Sequence, residues 1–134
     1  MAIQLSTTVR DARLAAYEAT IGTAPLLRMY SGAAPANCAA AATGTLLVEI
    51  TLPSDWLTAP SAQAVAKAGT WSAGAAAGGT LGYYRFYNSA GSVCHEQGTI
   101  TATGGGGDMT VDNTSVASSQ VVTVTSFTRS EQNA

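Results

Sequence analysis

The stretch GTLGYYRFYNSAGSVCHEQGTITATGGGGDMTVDN, residues 79–113, decides the fold class. Within it Leu81, Tyr83, Arg85 and Tyr87 alternate with Tyr84 and Phe86. A period of two is the mark of a β-strand, whose successive side chains leave opposite faces. Aromatic residues in both sets predict a strand covered on both sides. Asn88-Ser89-Ala90-Gly91 carries turn chemistry at each step, so residues 93–103 are expected to return antiparallel. The glycines at 104–107 then make a permissive turn, residues 109–111 a short strand, and Asp112-Asn113 a further turn.

The same stretch holds the only histidine, one of the two cysteines and the only glycine tract, so a search for chemistry starts there. On a regular strand Cys94 and Glu96 share one face and His95 takes the other. Adjacent strand positions cannot form a Cys-His nucleophile pair, and no second histidine exists. Cys38, Cys94 and His95 do not supply four tetrahedral ligands, so no metal site is predicted. GGGGD lacks the lysine and Ser/Thr of a phosphate-binding loop, and no helix is expected after it. Asp108, Asp112 and Asn113 do not match calcium-loop spacing. Asp55, Glu49, Glu96 and the two turn aspartates give no pair assignable to acid/base work. Asn113-Thr114-Ser115 matches a glycosylation sequon and is read as coincidence. These residues predict no catalytic centre and no cofactor, hence a protein that is not an enzyme.

Working outward, residues 6–21 predict one amphipathic helix. Ser6, Thr7 or Thr8 can cap it, and Thr8 with Asp11 resembles a capping box. Leu14, Tyr17 and Ile21 form one row, Val9, Ala12, Ala16 and Ala19 a second of smaller residues, and Gly22 stands at the C-terminal stop. Residues 26–30 predict a strand, and 33–44, interrupted by Pro35 and Asn37, a loop. In residues 45–52 the set Leu46, Val48, Ile50 and Leu52 is expected to face the core. Trp56 and Leu57 should fold back as an apolar plug. A strand carrying Trp71 is expected near residues 67–72, and a β-branched strand over residues 120–129. Six or seven short strands punctuated by Gly, Pro, Asn and Ser predict a mainly β protein, an antiparallel β-sandwich or jelly roll with one N-terminal α-helix. One domain is expected over residues 1–134, with arm and helix in 1–22 and the sandwich in 23–134.

Composition bounds the partners. Charged residues make up 10% of the 134, against about a quarter in ordinary domains. Twenty-six alanines leave a lean core, and thirty serines and threonines make a surface of small, neutral groups. Such a surface suits a protein covered in an assembly better than a free monomer held in solution by its charge. The net charge of −2 and the scattered basic residues argue against a nucleic-acid partner. No apolar run approaches a membrane span. The start MAIQLSTTVRDARL lacks the features of a secretion signal, so cytoplasmic synthesis is expected. Cys38 and Cys94 could pair, but in a reducing compartment free thiols are the commoner outcome.

Four segments carry a resemblance: MAIQLSTTVRDARLAAYEATIGT, GTLLVEITLPSDW, YYRFYNSAGSVCHEQGTITATGGGGDMTVDN and VTVTSFTRSEQNA. Together they resemble a family of small virion structural proteins of tailed bacteriophages. The resemblance implies a particle component, and within that class a capsid decoration or cement protein that bridges major capsid subunits. Its partners would be the major capsid protein and further copies of itself, as a dimer or trimer, in a virion assembled in the bacterial cytoplasm. Candidate interface residues are Ile3, Leu5 and Val9 on the arm and helix, and Tyr83 and Tyr87 on the hairpin. The alternative is a tail fibre or tip protein that would expose Tyr83, Tyr84, Tyr87 and Trp71 to host glycans.

Overall fold

A computed structural model describes residues 3–131. Helix α1 (Thr7–Ile21) is followed by β1 (Leu26–Ser31), β2 (Leu46–Thr51), β3 (Ala64–Ala66), β4 (Ser72–Gly74), β5 (Gly79–Tyr87), β6 (Cys94–Ala102), β7 (Met109–Val111), β8 (Ser115–Val116) and β9 (Val121–Ser130). The order across the sheet is β2-β1-β5-β6-β7-β9-β3, with β4 added on β9 and β8 on β5. The protein is thus mainly β with one helix, and the sheet curls. At its far end β4 comes round to β2, where the Ala76 N–H donates to the Leu47 carbonyl at 2.7 Å.

The sheet is mixed, which corrects the expectation of purely antiparallel pairing. β7 lies parallel to β6, with Ile100 opposite Met109 and Ala102 opposite Val111. The glycine tract therefore carries the chain back alongside β6 instead of closing a hairpin. Gly104 and Gly106 have φ near +80°, a region costly for other residues. A Cβ at Gly105 or Gly107 would press on Thr101, whose Oγ1 accepts from the Gly107 N–H at 2.9 Å. A parallel return normally needs a long crossover; here the shared register is three residues, so six suffice.

One face of the curled sheet holds the core. Trp56, Trp71, Phe86, Phe127 and Tyr84 pack at centroid distances of 5.1 to 6.1 Å. Leu27, Met29, Val48, Ile50 and Val122 fill in around them. Trp56 is the expected plug, and its indole N–H donates to the Gly22 carbonyl at 3.1 Å. β2 departs from its predicted alternation: Leu47 is buried while Leu46 is exposed, because the β1 register slips opposite it, pairing Met29 with Val48 and Tyr30 with Leu46. The strand expected near residues 67–72 is replaced by β3 and β4 on either side, both paired to β9, with Trp71 between them.

Helix α1 begins where Ser6 accepts from the Val9 N–H at 3.2 Å and ends at Gly22, whose φ is +95°. The Thr8/Asp11 box does not form. Asp11 instead accepts from the Gln63 N–H at 3.0 Å, tying the helix to the approach to β3. Leu14 and Ile21 are its buried residues. In the middle of the helix Arg13 pairs with Glu131 at 3.4 Å.

Candidate functional site

Two polar neighbourhoods are built around β5, one on each face. On the core side Glu96 lies between α1 and the sheet. The Tyr17 hydroxyl donates to Glu96 Oε2 and the Tyr84 hydroxyl to Oε1, each at 2.7 Å. Arg129 approaches Oε2 to 3.8 Å, and its guanidinium sits 5.3 Å above the Tyr17 ring. Burial, then the adjacent Glu96 charge and its hydrogen bond, push both phenols far above their ordinary value of 10.0. Beside Glu96 a cleft of about 160 Å³ is walled by Asp108 and Arg129 and floored by Tyr84 and Phe127. Asp108 Oδ2 is committed to Thr99, accepting from its N–H and its hydroxyl at 2.9 Å each.

The face relationship predicted for Cys94-His95-Glu96 does not hold. β6 bulges at this point: Glu96 pairs with Phe86 and Cys94 with Tyr87, so three residues on β6 oppose two on β5. The extra residue sends Cys94 and Glu96 to opposite faces. Glu96 turns to the core and the helix. Cys94 turns to the outer face and forms a disulfide with Cys38, which corrects the expectation of free thiols. His95 borders a groove along α1 with Ala16, Tyr17, Thr20 and Ile21.

The outer face carries Arg28, Tyr30, Tyr83, Arg85 and Tyr87, and the segment 32–45 lies against Tyr83 and Arg85. Tyr30 and Tyr83 stack at 5.0 Å, and the Arg28 guanidinium lies 4.6 Å over the Tyr87 ring. Arg28 also bonds Glu49 at 2.6 Å. Arg85 is 2% exposed, and its hydrogen-bond partners are the Asn37 and Ala40 carbonyls, Gln97 Oε1 and the Tyr87 hydroxyl. Burial and the Tyr87 hydroxyl push Tyr30 up to about 12. At Tyr87 burial acts upward, but hydrogen bonds with Tyr30 and Arg85 and the two nearby guanidinium charges outweigh it and lower the phenol.

Of the five candidate interface residues, Ile3 is 78% and Val9 44% exposed, and Leu5 is half-buried. Tyr83 and Tyr87 are 1% and 8% exposed; Tyr83 bonds Thr43 of the chain's own covering segment, and Tyr87 lies against Arg28, Tyr30 and Arg85. They are not surface residues of the subunit. Tyr84 and Trp71, the other aromatics assigned to glycan contact, are also buried. Asp112 accepts from the Asn113 and Thr123 N–H groups, and Asn113 from that of Ser115, so both are engaged in turns. Among the described residues no group of three or more His, Cys, Asp or Glu is placed to hold a metal ion. No described helix is long and apolar enough to cross a membrane. Sequence reasoning missed the Tyr17–Glu96–Tyr84 cluster and the buried role of Arg85. The only signal was the placement of charges among the aromatics of the hairpin. No protein-family model, curated protein or solved structure matches the chain.

Proposed function

We propose that this chain is a structural subunit of a tailed-bacteriophage virion, a decoration protein that bridges major capsid subunits and works without catalysis. The observation that carries it is how the reactive side chains are spent. Glu96, Arg85, both cysteines and the surface residue Asp108 are engaged by other parts of the chain, while the exposed residues include Ile3 and Val9 on the arm and helix. A subunit with a weakly charged surface suits flat, repeated contacts with a shell. We read the curled sheet as the basis of a jelly-roll-like sandwich, and homo-oligomers on symmetry axes as the form in which it acts. The tail-tip alternative loses the aromatics it relied on, since Tyr83, Tyr84, Tyr87 and Trp71 are buried.

Particles assembled without this chain should rupture at lower temperature and under milder osmotic shock than complete ones, and purified particles should contain it in numbers matching the capsid lattice. Unchanged particle stability combined with lost adsorption to host cells would overturn the assignment.

A further inference from the structure

Segment 32–45 is held on the outer face by several anchors besides the disulfide. The Tyr83 hydroxyl donates to the Thr43 carbonyl at 2.6 Å and accepts from the Thr43 N–H at 2.9 Å. Gln97 Nε2 donates to the Pro35 carbonyl at 2.6 Å. Ser31 and Thr45 exchange two bonds, from the Ser31 N–H to the Thr45 carbonyl at 3.0 Å and from the Thr45 N–H to Ser31 Oγ at 2.9 Å. Arg85 bonds the Asn37 carbonyl at 3.1 Å and the Ala40 carbonyl at 2.9 Å. Asn37 and Ala40 bracket Cys38, so the buried guanidinium fixes the backbone on both sides of the cysteine. Lifting the segment would break two hydrogen bonds from a charged donor, which are worth more than neutral ones. The closed position is therefore favoured with or without the sulfur bond.

We propose that Cys38 and Cys94 are a redox latch on a cover that closes before the bond forms: the non-covalent anchors bring the thiols together in the folded, reduced chain, and oxidation then locks the cover. The oxidant is a small-molecule disulfide. One cysteine thiolate attacks a sulfur of that disulfide, which releases one thiol and leaves a mixed disulfide on the protein. The second cysteine gives up its proton, attacks the protein sulfur of the mixed disulfide and expels the second thiol. Two protein thiols are oxidised and one disulfide is reduced to two thiols. A chain of this kind folds in a reducing compartment and hardens on reaching an oxidising one, which accommodates both the cytoplasmic expectation and the disulfide. The inference does not depend on the virion assignment, and purified protein suffices to test it.

The purified full chain is reduced, equilibrated in glutathione buffers of fixed thiol-to-disulfide ratio with and without denaturing urea, alkylated and weighed. The ratio of bonded to free cysteines should be on the order of a thousandfold higher in the native chain, as expected for a bond spanning a loop of this length that folding has already closed. In the reduced protein and in a Cys38→Ser/Cys94→Ser variant, the Thr43 and Thr45 amides should stay protected from hydrogen exchange. Equal ratios in native and denatured chains, unprotected amides in the reduced protein, or a serine variant that fails to fold would each overturn the proposal.

Discussion

Glu96→Gln keeps the shape of the side chain and removes its charge, and with it the charge-assisted part of two tyrosine bonds and the pairing with Arg129. Hydrogen bonds to a charged group are worth more than neutral ones, so the variant should lose about 2 kcal/mol of stability at neutral pH, read as a lower urea midpoint. The same cluster sets the alkaline limit. The unfolded chain releases its phenol protons near 10.0, whereas Tyr17 and Tyr84 hold theirs in the fold. This contribution is complete below pH 10 and is lost as pH rises beyond it, because there the unfolded chain binds fewer protons. Each phenol should steepen the loss by about 1.4 kcal/mol per pH unit. Urea unfolding across pH 8 to 11.5 tests this range, and a flat profile would contradict it. At Glu18 the sign is tested from the other side. Burial raises its carboxyl despite the opposing bond from the Leu57 N–H, and Asp55 adds to the rise. The raised group favours the fold at acid pH and ceases to do so as pH climbs. Glu18→Gln should gain on the order of 0.3 kcal/mol at pH 7 after solvent screening and nothing at pH 4, seen as a small rise in Tm at the higher pH alone.

At the level of elements, the glycines separate two kinds of constraint. Gly82 lies in β5 where the register with β1 slips, and a Cβ there would collide with the Gly32 backbone. Backbone cannot swing aside as a side chain can, so Gly82→Ala should cost about 2 kcal/mol or more. Gly104 has open space around its Cα and only its φ of +86° to defend, so Gly104→Ala should cost about 1 kcal/mol. Thermal unfolding of the two variants should rank them in that order. Elements with strong local pattern were legible in the sequence: the 6–21 helix with Gly22 as its stop, the Tyr83–Tyr87 alternation, the Asn88 turn and the Trp56 plug all follow from spacing and turn chemistry. Leu81, expected on the face of Tyr83, joins the core instead, because the extra residue at Gly82 breaks the alternation. Elements set by distant partners were not legible. The extra residue at His95 leaves no local trace, since its cause is the pairing of β6 with β5, yet it decides which face receives Cys94 and which receives Glu96. β3 and β4 lie in alanine-rich sequence with no alternation and are ordered by β9. The parallel placement of β7 was hidden because a glycine run permits a return and a hairpin equally well.

For the whole molecule the question is whether helix, core and outer cover form one cooperative unit. Tyr17 joins α1 to Glu96 on the sheet, Trp56 ties the end of α1 to the aromatic core through Gly22, and Phe86 sits in that core on the strand whose other face carries Arg85. The lean composition leaves no second core to support a separate unit, and the core-facing aromatics converge on one cluster. Loss of any layer exposes the next, so unfolding should be a single transition. Far-UV circular dichroism, tryptophan fluorescence and tyrosine near-UV signal should report the same urea midpoint, and separated midpoints would show that the helix or the cover is an independent layer. The disulfide should shift this transition without splitting it. Cys38 and Cys94 are 56 residues apart, and closing a loop of that length in the unfolded chain corresponds to about 4 kcal/mol on the chain-entropy account. Reduction should therefore remove about that much stability, lower the common midpoint accordingly and leave all three probes coincident, whereas early loss of the tyrosine signal alone would mean that the bond, and not Arg85 and Tyr83, holds the cover in place.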